Sequence, residues 1–204
     1  MLIASRKKEL LDGVANKLNQ LQKGTCIAIV SDLGTKDAAV RLAESVATHT
    51  NMLHLLVNCA GMSWGGNMLD FDESNGWDRL FALNVKSIFY LTMALVPLLE
   101  AAANGNIDPA RVINISSVAG TIASAETPLA SKGSSTWSYN ISKAAVDHLT
   151  RSLAVSLASR NITVNAIAPG IFPSRMTAYG IKYGGNMMVA SQPSKRIGNA
   201  DDMA

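Results

Sequence analysis

The 204-residue sequence has few cysteines, few aromatic residues and little net charge, and each shortage excludes a class of protein. Its two cysteines, Cys26 and Cys59, lie in apolar runs typical of strands, which disfavours a disulfide framework and predicts two buried, reduced thiols. A net charge of +3, with residues 6–8 (Arg-Lys-Lys) as the one basic cluster, is too weak to indicate binding to nucleic acid or to a membrane surface.

Membrane-spanning and metal-binding patterns are also missing from the sequence. No run approaches the ~20 apolar residues of a membrane span, and the first residues do not resemble a signal peptide. The three histidines, His49, His54 and His148, lack the spacing of metal ligands. We therefore expect a cytoplasmic protein with no membrane segment and no metal ion.

The sequence does hold an aliphatic core and a regular alternation of strands and helices. Hydrophobic residues make up 48% and aromatic residues 5%, which suits a parallel sheet covered by helices. Apolar runs predict strands at 2–5, 25–30, 53–59, 111–116 and 162–168, and helical spacing predicts helices at 7–21, 35–47, 73–103 and 137–160. This alternation predicts a doubly wound parallel α/β sheet in a single domain, residues 1–204.

Three details of this prediction bear on the structure. The run 53–59 is continuously apolar, as expected of a strand buried on both faces. The long helix at 73–103 is expected to bend near Pro97. Residues 170–197 show little periodicity and are predicted to form a substrate lid loop.

The most informative local pattern is Tyr139-Asn-Ile-Ser-Lys143. On a helix the two positions share a face, so the Lys143 ammonium can lie beside the Tyr139 phenol. An adjacent cation lowers the phenol pKa from about 10, which suits proton exchange with a carbonyl or alcohol oxygen. An ordinary amphipathic helix with a snorkelling lysine would show the same spacing, so this pattern alone leaves both interpretations open.

Other polar residues follow the predicted strands in a consistent way. Strand 111–116 leads into Ser116 and Ser117, at the sheet edge where open α/β folds bind ligands, although a serine there can also cap a helix. Further motifs are Asn58-Cys-Ala60-Gly61 after the third strand, Asn84-Val85 in the long helix and Pro169-Gly170 after the fifth strand. Taken in order with Tyr139 and Lys143, they make the chain resemble the short-chain dehydrogenase/reductase family over essentially its whole length.

The resemblance implies a Rossmann-like fold and hydride transfer between a nicotinamide cofactor and a ketone or secondary alcohol, as in a ketoreductase or alcohol dehydrogenase. By position, Tyr139 would exchange the proton with the substrate oxygen and Lys143 would lower its pKa and bind the nicotinamide ribose. Ser117 would hold the substrate carbonyl, and Asn84 would bind a water that connects Lys143 to solvent. The resemblance places six residues along the cofactor: Asn58, Ala60, Gly61, Pro169, Gly170 and Ile171.

Two residues bear on the choice of cofactor. Arg6 follows the first strand, where the family reads the adenosine ribose, and a guanidinium there matches a 2′-phosphate. NADP(H) is therefore favoured over NAD(H), although a solvated arginine at a helix start fits the same position. Asp32 resembles the family acid that contacts adenine, and it could equally cap the helix that begins near Thr35.

The substrate is less defined. The segment between Ser117 and Tyr139 is longer than the family's usual spacing, which puts the substrate class in doubt. The lid carries Met176, Tyr179, Tyr183, Met187 and Met188, which favours an apolar carbonyl or alcohol, although methionine-rich loops also pack against their own domain.

The sequence departs from the family in one large respect. We find no strand, glycine-rich turn and helix that would present N–H groups to the cofactor diphosphate, and residues 61–66 fail because no helix follows them promptly. In the family that strand lies between the strands at 2–5 and 53–59, and a last strand closes the sheet. We therefore predict a Rossmann-like sheet truncated at both ends, with two unpaired apolar edges and weak cofactor binding.

A second function remains open at this point. A catalytically impaired chain could act as an assembly partner in an oligomer of a full-length enzyme, through the two long helices and surfaces such as Ala144, Ala145, Leu149 and Leu153. The family commonly forms homo-oligomers through these helices. A methyltransferase with a related fold is a third possibility, and the ordered Asn84, Ser117, Tyr139 and Lys143 argue against it.

Overall fold

Strands and helices alternate along the chain in the computed structural model, which describes residues 1–104, 107–126 and 133–203. The strands are β1 (Leu2–Ser5), β2 (Ile27–Val30), β3 (Leu55–Asn58), β4 (Ala110–Ile115) and β5 (Ile162–Ile167). The α-helices are α1 (Lys8–Gln20), α2 (Lys36–Ala47), α3 (Ser87–Ala102), α4 (Trp137–Leu157) and α5 (Ala178–Ser191). Each predicted strand and helix is confirmed, with bounds that differ by a few residues.

All strand pairs are parallel, but they form two separate sheets. β1 pairs with β2, and β3, β4 and β5 pair in that order. Among the described residues no backbone ladder joins β1 to β3. The Rossmann-like α/β class is therefore confirmed, and the sheet is interrupted at the position where an unpaired edge was predicted.

The main core lies on one side of the three-stranded sheet. Aliphatic side chains of α2, α3 and α4 pack there against β4 and β5, and Val112 and Leu99 are fully buried in this cluster. Leu153 belongs to the same core, so it is unavailable for the association surface in which sequence analysis placed it. Burial of these aliphatic side chains holds α4, and with it Tyr139 and Lys143, against β5 and the turn at residues 118–120 that follows β4.

The opposite side of β3 is open. Leu55 and Val57 are 47% and 48% exposed, so the expectation of a strand buried on both faces is wrong for this strand. The pleat directs alternate side chains to opposite faces, and only one face is covered by helices in the part of the chain that the structure describes. Cys59 follows this strand and is exposed, which corrects the prediction of a buried thiol, whereas Cys26 is buried as predicted.

The long helix is irregular at its start. Its first turns, Glu73–Arg79 and Ala82–Lys86, are π-helical, and α3 continues through Pro97 as a regular α-helix. By length and composition Glu73–Ala102 could cross a membrane, so the expectation that no segment approaches such a span is wrong as stated. Half of its most apolar window is buried in the fold. Core helices of soluble proteins meet the same criterion, so the finding is weak evidence of a span.

The predicted lid loop contains a helix. α5 occupies Ala178–Ser191, which corrects the interpretation of residues 170–197 as a segment without regular structure. The Thr177 hydroxyl stabilises the turn that precedes this helix, because it donates to the Phe172 carbonyl at 2.6 Å and accepts from the Ser174 N–H at 2.9 Å. Pro193 follows directly after Gln192, at the point where the helix ends. Of the long segment before Tyr139, residues 127–132 lie outside the described residues.

Candidate active site

The two serines after β4 have different surroundings. The Ser116 hydroxyl donates to the Lys143 carbonyl in α4 at 3.2 Å, so it joins the strand to the helix. Ser117 precedes the 3₁₀ turn Val118–Gly120, and its hydroxyl oxygen accepts from the Ala119 N–H at 3.2 Å. That bond leaves the hydroxyl hydrogen of Ser117 free to donate, and the Tyr139 phenol is its neighbour.

Tyr139 lies in the first turn of α4 with most of its phenol buried. Burial raises the pKa of Tyr139 above its ordinary value of 10.0, and the hydrogen bond with Ser117 lowers the pKa by a smaller amount. Lys143, which sequence analysis expected to lower this pKa, is not among its causes, and the net shift is upward. The phenol therefore carries its proton at neutral pH.

Lys143 lies one turn further along α4, and its ammonium faces the sheet. Its Nζ donates to the Ile115 carbonyl at 2.7 Å and lies 5.7 Å from the centroid of the Tyr139 ring. Burial lowers the pKa of Lys143, and the nearby Cys59 and Asp147 raise it by smaller amounts. The structure thus brings Tyr139 and Lys143 together on one helix face, as the spacing indicates.

Asn84 joins the long helix to the loop after β3. Its side-chain oxygen accepts from the Met62 N–H at 2.8 Å, and its amide group donates to the Met62 carbonyl at 2.9 Å and to Ser142 Oγ at 3.0 Å. Asn84 is fully buried in the π-helical turn Ala82–Lys86, so its side chain is engaged by protein groups. A Cβ at Gly61 would lie 3.4 Å from Asn84 Oδ1 and 3.8 Å from Lys143 Nζ, so these residues meet.

Four of the predicted cofactor residues line one cavity of about 320 Å³. They are Arg6 and Asp32, which follow β1 and β2, and Ala60 and Gly61, which follow β3. Arg6 Nη1 lies 3.9 Å from Asp32 Oδ2, and the two side chains are 49% and 64% exposed. Thr35 caps α2 by accepting from the Ala38 N–H, so the alternative role of Asp32 as the cap is excluded.

Asn58 has a different environment from the other predicted cofactor residues. Its amide group donates to Asn114 Oδ1 at 2.9 Å and to Thr92 Oγ1 at 3.2 Å, so both amide hydrogens are used inside the protein. Asn114 in turn donates to Thr150 Oγ1 at 2.9 Å. Sequence analysis missed this buried polar network. The one signal for this network in the sequence is a polar residue, Asn114, within the apolar strand 111–116.

The turn after β5 contacts the serine turn. The Pro169 carbonyl accepts from the Val118 N–H at 3.1 Å, and the Ile171 carbonyl accepts from the Gly198 N–H at 2.8 Å. A Cβ at Gly170 would lie 3.3 Å from Gln192 Oε1, close to the end of α5. The predicted cofactor residues Pro169, Gly170 and Ile171 therefore lie between the serine turn and the segment that follows α5.

The site fits the two ends of a dinucleotide better than its middle. Arg6 and Asp32 would hold an adenosine end, and Lys143 with the turn at Pro169 would hold a nicotinamide end. In the described part of the chain, no glycine-rich turn at a helix N-terminus lies beside these residues to receive a diphosphate. No group of three or more histidine, cysteine or acidic side chains gathers among the described residues.

A Rossmann-like α/β fold with a serine, a tyrosine and a lysine beyond the carboxyl ends of its strands is an arrangement of nicotinamide-dependent oxidoreductases. The family model for short chain dehydrogenases matches residues 1–182, and the chain belongs to this family of oxidoreductases. A curated relative from Pseudomonas aeruginosa, named as a 3-oxoacyl-[acyl-carrier-protein] reductase of rhamnolipid biosynthesis, is 40% identical over 179 residues. Those residues are 88% of this chain and 65% of the relative.

Solved structures support the same fold. The Pseudomonas aeruginosa RhlG/NADP active-site complex is 38% identical with a TM-score of 0.86, and the match covers 99% of this chain and 75% of that one. An NAD⁺-bound xylitol dehydrogenase has a TM-score of 0.83 at 22% identity, covering 99% of this chain and 78% of that one, and shows likeness of fold alone. The chain thus spans slightly less than two thirds, 65%, of the length of the curated relative from Pseudomonas aeruginosa.

Proposed function

We propose that this chain carries the catalytic residues of an NADP(H)-dependent ketoreductase or alcohol dehydrogenase, with Tyr139 as the acid and base. The observation that carries the proposal is the Lys143 ammonium, which lies 5.7 Å from the centroid of the Tyr139 ring on the same helix face. A nicotinamide, when bound, would supply or accept the hydride. In this assignment Ser117 donates to the substrate oxygen and Tyr139 Oη gives it a proton.

The protonation state of Tyr139 fits the role of proton donor to a carbonyl oxygen. Because burial raises its pKa, the phenol is protonated at neutral pH and is ready to donate a proton to a carbonyl oxygen. In the reverse direction the residue would first have to lose that proton. The Lys143 ammonium, 5.7 Å from the ring, would stabilise the phenolate that remains after the transfer.

The cofactor and substrate assignments rest on separate observations. The Arg6 guanidinium at the small cavity supports NADP(H), because it can pair with a 2′-phosphate, and the NADP complex of a relative supports the same choice. On α5, Tyr179, Tyr183 and Met187 are exposed, and the two tyrosine rings lie 4.8 Å apart. This apolar stripe supports an apolar carbonyl or alcohol as substrate and the role of residues 170–197 as a lid.

The test is a fluorescence titration of the chain with NADPH and with NADH, followed by ketone reduction monitored through NADPH absorbance. We expect NADPH to bind weakly, and Arg6→Ala to weaken NADPH about tenfold while leaving NADH within about twofold. Tyr139→Phe should keep the cofactor affinity and lower the turnover of any ketone reduction by at least about a hundredfold. Equal turnover in Tyr139→Phe would refute the assignment of Tyr139.

A second function is favoured by exposed apolar side chains on the two long helices. Val155 is 82% exposed on α4, and Ile141 on α4 and Phe89 on α3 are also exposed. Such side chains support assembly through these helices into a homo-oligomer, in which a catalytically impaired chain would act as a partner of full-length subunits. Both thiols are free, which suits a cytoplasmic location. Absence of cofactor binding together with a concentration-dependent oligomer would favour this second function.

A further inference from the structure

We propose that Asn140 is a positioning residue for Tyr139, because its side-chain amide fixes the first turn of α4 to the segment that follows the serine turn. The inference deepens the proposed function and rests on it, since it assumes that Tyr139 is the residue that transfers the proton. Asn140 acts through Tyr139 and needs no contact of its own with substrate or cofactor.

The first turn of α4 carries Tyr139 but lacks the usual support of a helix N-terminus. A hydroxyl at the N-cap position normally accepts a hydrogen bond from an N–H of the first turn and so stabilises the start of the helix. Thr136 occupies this position, and among the described residues its hydroxyl accepts from none of these N–H groups. Helix ends without such a cap fray, so another contact must hold Tyr139 in place.

The Asn140 side chain supplies such a contact. Its Nδ2 donates to the Ser124 carbonyl at 3.0 Å, and its Oδ1 accepts from the Thr136 hydroxyl at 3.0 Å. A carbonyl can only accept, so the contact with Ser124 fixes which end of the amide is the donor. Asn140 thereby joins the N-cap residue, its own turn and the chain at Ser124 in one hydrogen-bonded unit.

Thr136 adds a second connection to the same segment. Its backbone N–H donates to the Ala125 carbonyl at 2.9 Å. Its hydroxyl has one hydrogen, and the contact with Asn140 Oδ1 at 3.0 Å is shorter than the contact with the Ala125 carbonyl at 3.3 Å. The backbone N–H therefore binds Ala125, and the hydroxyl orients the amide of Asn140.

The segment that receives these hydrogen bonds is itself anchored to α4. At its start Gly120 packs so closely against the helix that an added Cβ would lie 2.8 Å from the Ala144 nitrogen. At its end Ala125 is 4% exposed, whereas residues 121–124 between them are exposed and are not held by burial. The segment therefore runs along the first two turns of α4 from a fixed start, and the hydrogen bonds at its far end hold the first turn against it.

Loss of the Asn140 amide should loosen the Tyr139 phenol more than the rest of α4. Tyr139 directly precedes Asn140, so fraying of this turn moves the phenol toward solvent. Lys143 lies one turn further along and keeps its hydrogen bond to the Ile115 carbonyl. Since burial is the largest cause that raises the pKa of Tyr139, exposure should lower that pKa toward its ordinary value of 10.0.

The experiment is an ultraviolet titration of Tyr139 in the chain without cofactor, taken for each variant as the difference from the same variant with Tyr139→Phe. We expect Asn140→Val to lower the Tyr139 pKa and Thr136→Val to lower it by a smaller amount. Thr136→Ser keeps the hydroxyl and should restore the parent value. An unchanged or raised pKa in Asn140→Val, or equal pKa values in Thr136→Val and Thr136→Ser, would overturn the proposal.

The matched control is His148→Val, at an exposed position of the same helix. Valine has about the helix propensity of asparagine and of histidine, so neither substitution changes the propensity of α4. Histidine is neutral at the pH of the titration, so no variant changes a charge near the phenol. His148→Val should leave the Tyr139 pKa at the parent value, and a shift equal to that of Asn140→Val would overturn the proposal.

Hydrogen exchange locates the effect along the helix. Asn140→Val should lower the protection factors of the amides of residues 140–142 by about three- to tenfold, because loss of these hydrogen bonds favours local opening. The amides of residues 149–153, in the middle of α4, should change less than about twofold. Equal loss of protection along the whole helix would show a general loss of stability and would overturn the local role of Asn140.

The ketone-reduction assay separates this inference from the proposed function. Asn140→Val should lower kcat about tenfold and change the KM for NADPH less than about twofold, because the phenol is displaced while the cofactor contacts remain. A change confined to KM would overturn the positioning role. If the parent chain reduces no ketone, the proposed function fails, and the titration still decides whether Asn140 holds Tyr139.

Discussion

Two glycine-to-alanine substitutions should change stability in opposite directions, although the chemical change is the same. At Gly120 a Cβ would lie 2.8 Å from the backbone nitrogen of Ala144 and 2.8 Å from the carbonyl carbon of Lys143. These atoms belong to the interior of α4 and cannot swing aside, so the serine turn must move. At Gly13, in the middle of α1, no atom lies within 4 Å of the added Cβ.

The expected magnitudes follow from these distances. Overpacking against fixed backbone costs about 1–3 kcal/mol, so Gly120→Ala should lower the free energy of unfolding by about that amount. Gly13→Ala removes a helix-interior glycine from an open position and should raise the free energy of unfolding by about 0.5–1 kcal/mol. Urea denaturation of both variants and the parent chain, followed by circular dichroism, measures the two differences.

The result also bears on the active site. The turn Val118–Gly120 follows Ser117, so its displacement in Gly120→Ala should lengthen the contact between Ser117 and the Tyr139 phenol. Loss of that hydrogen bond removes the one effect that lowers the Tyr139 pKa, so the phenol should titrate at a still higher pH than in the parent chain. A Gly120→Ala variant as stable as Gly13→Ala would refute the assigned packing of the serine turn on α4.

Two further predictions concern buried polar groups. Asn114→Ala should lower the free energy of unfolding by about 2–4 kcal/mol, because it leaves an Asn58 N–H unpaired and opens a cavity. The control Asn165→Ala, on the exposed side of β5, should change the free energy of unfolding by less than about 0.5 kcal/mol. Equal effects of the two variants in urea denaturation would show that the hydrogen bonds of Asn114 do not stabilise the fold. The Tyr139→Phe difference in ultraviolet titration should report a phenol pKa above 10.0. Because the folded chain holds this proton more tightly than the unfolded chain, the contribution of Tyr139 to stability should be complete below pH 10 and lost as the pH rises through the raised pKa. A pKa at or below 10.0 would show that Lys143 outweighs burial.

Local sequence patterns determined the elements and their order. Apolar periodicity identified every strand from β1 to β5 and the helices α1 to α4, because the spacing of side chains on one face is a property of each segment alone. It did not identify α5, where glycines and methionines blur the helical pattern. The spacing of Tyr139 and Lys143 likewise predicted their common helix face, and the motif order predicted the family that the comparisons show.

The environments of individual side chains required the tertiary structure. Cys59 and Val57 belong to an apolar run, yet both are exposed, because exposure depends on which elements cover a strand. Asn58 was assigned to the cofactor, and its amide is used by Asn114 and Thr92, which lie 56 and 34 positions away in sequence. A hydrogen-bond partner so distant in the chain leaves no periodic signal.

The sequence by itself determined a parallel α/β chain of the short-chain dehydrogenase family, with Tyr139 and Lys143 on one helix face and an unpaired edge in its sheet. Only the tertiary structure shows that the pKa of Tyr139 is raised and that the Asn84 side chain is hydrogen-bonded to Met62 and Ser142. It alone also shows that no Asp, Glu, Lys or Arg side chain lines the cavity between β1 and β3. The physical reason is that spacing records which residues share one segment. Desolvation and hydrogen bonding depend on distances between segments, and those distances exist only after the chain has folded.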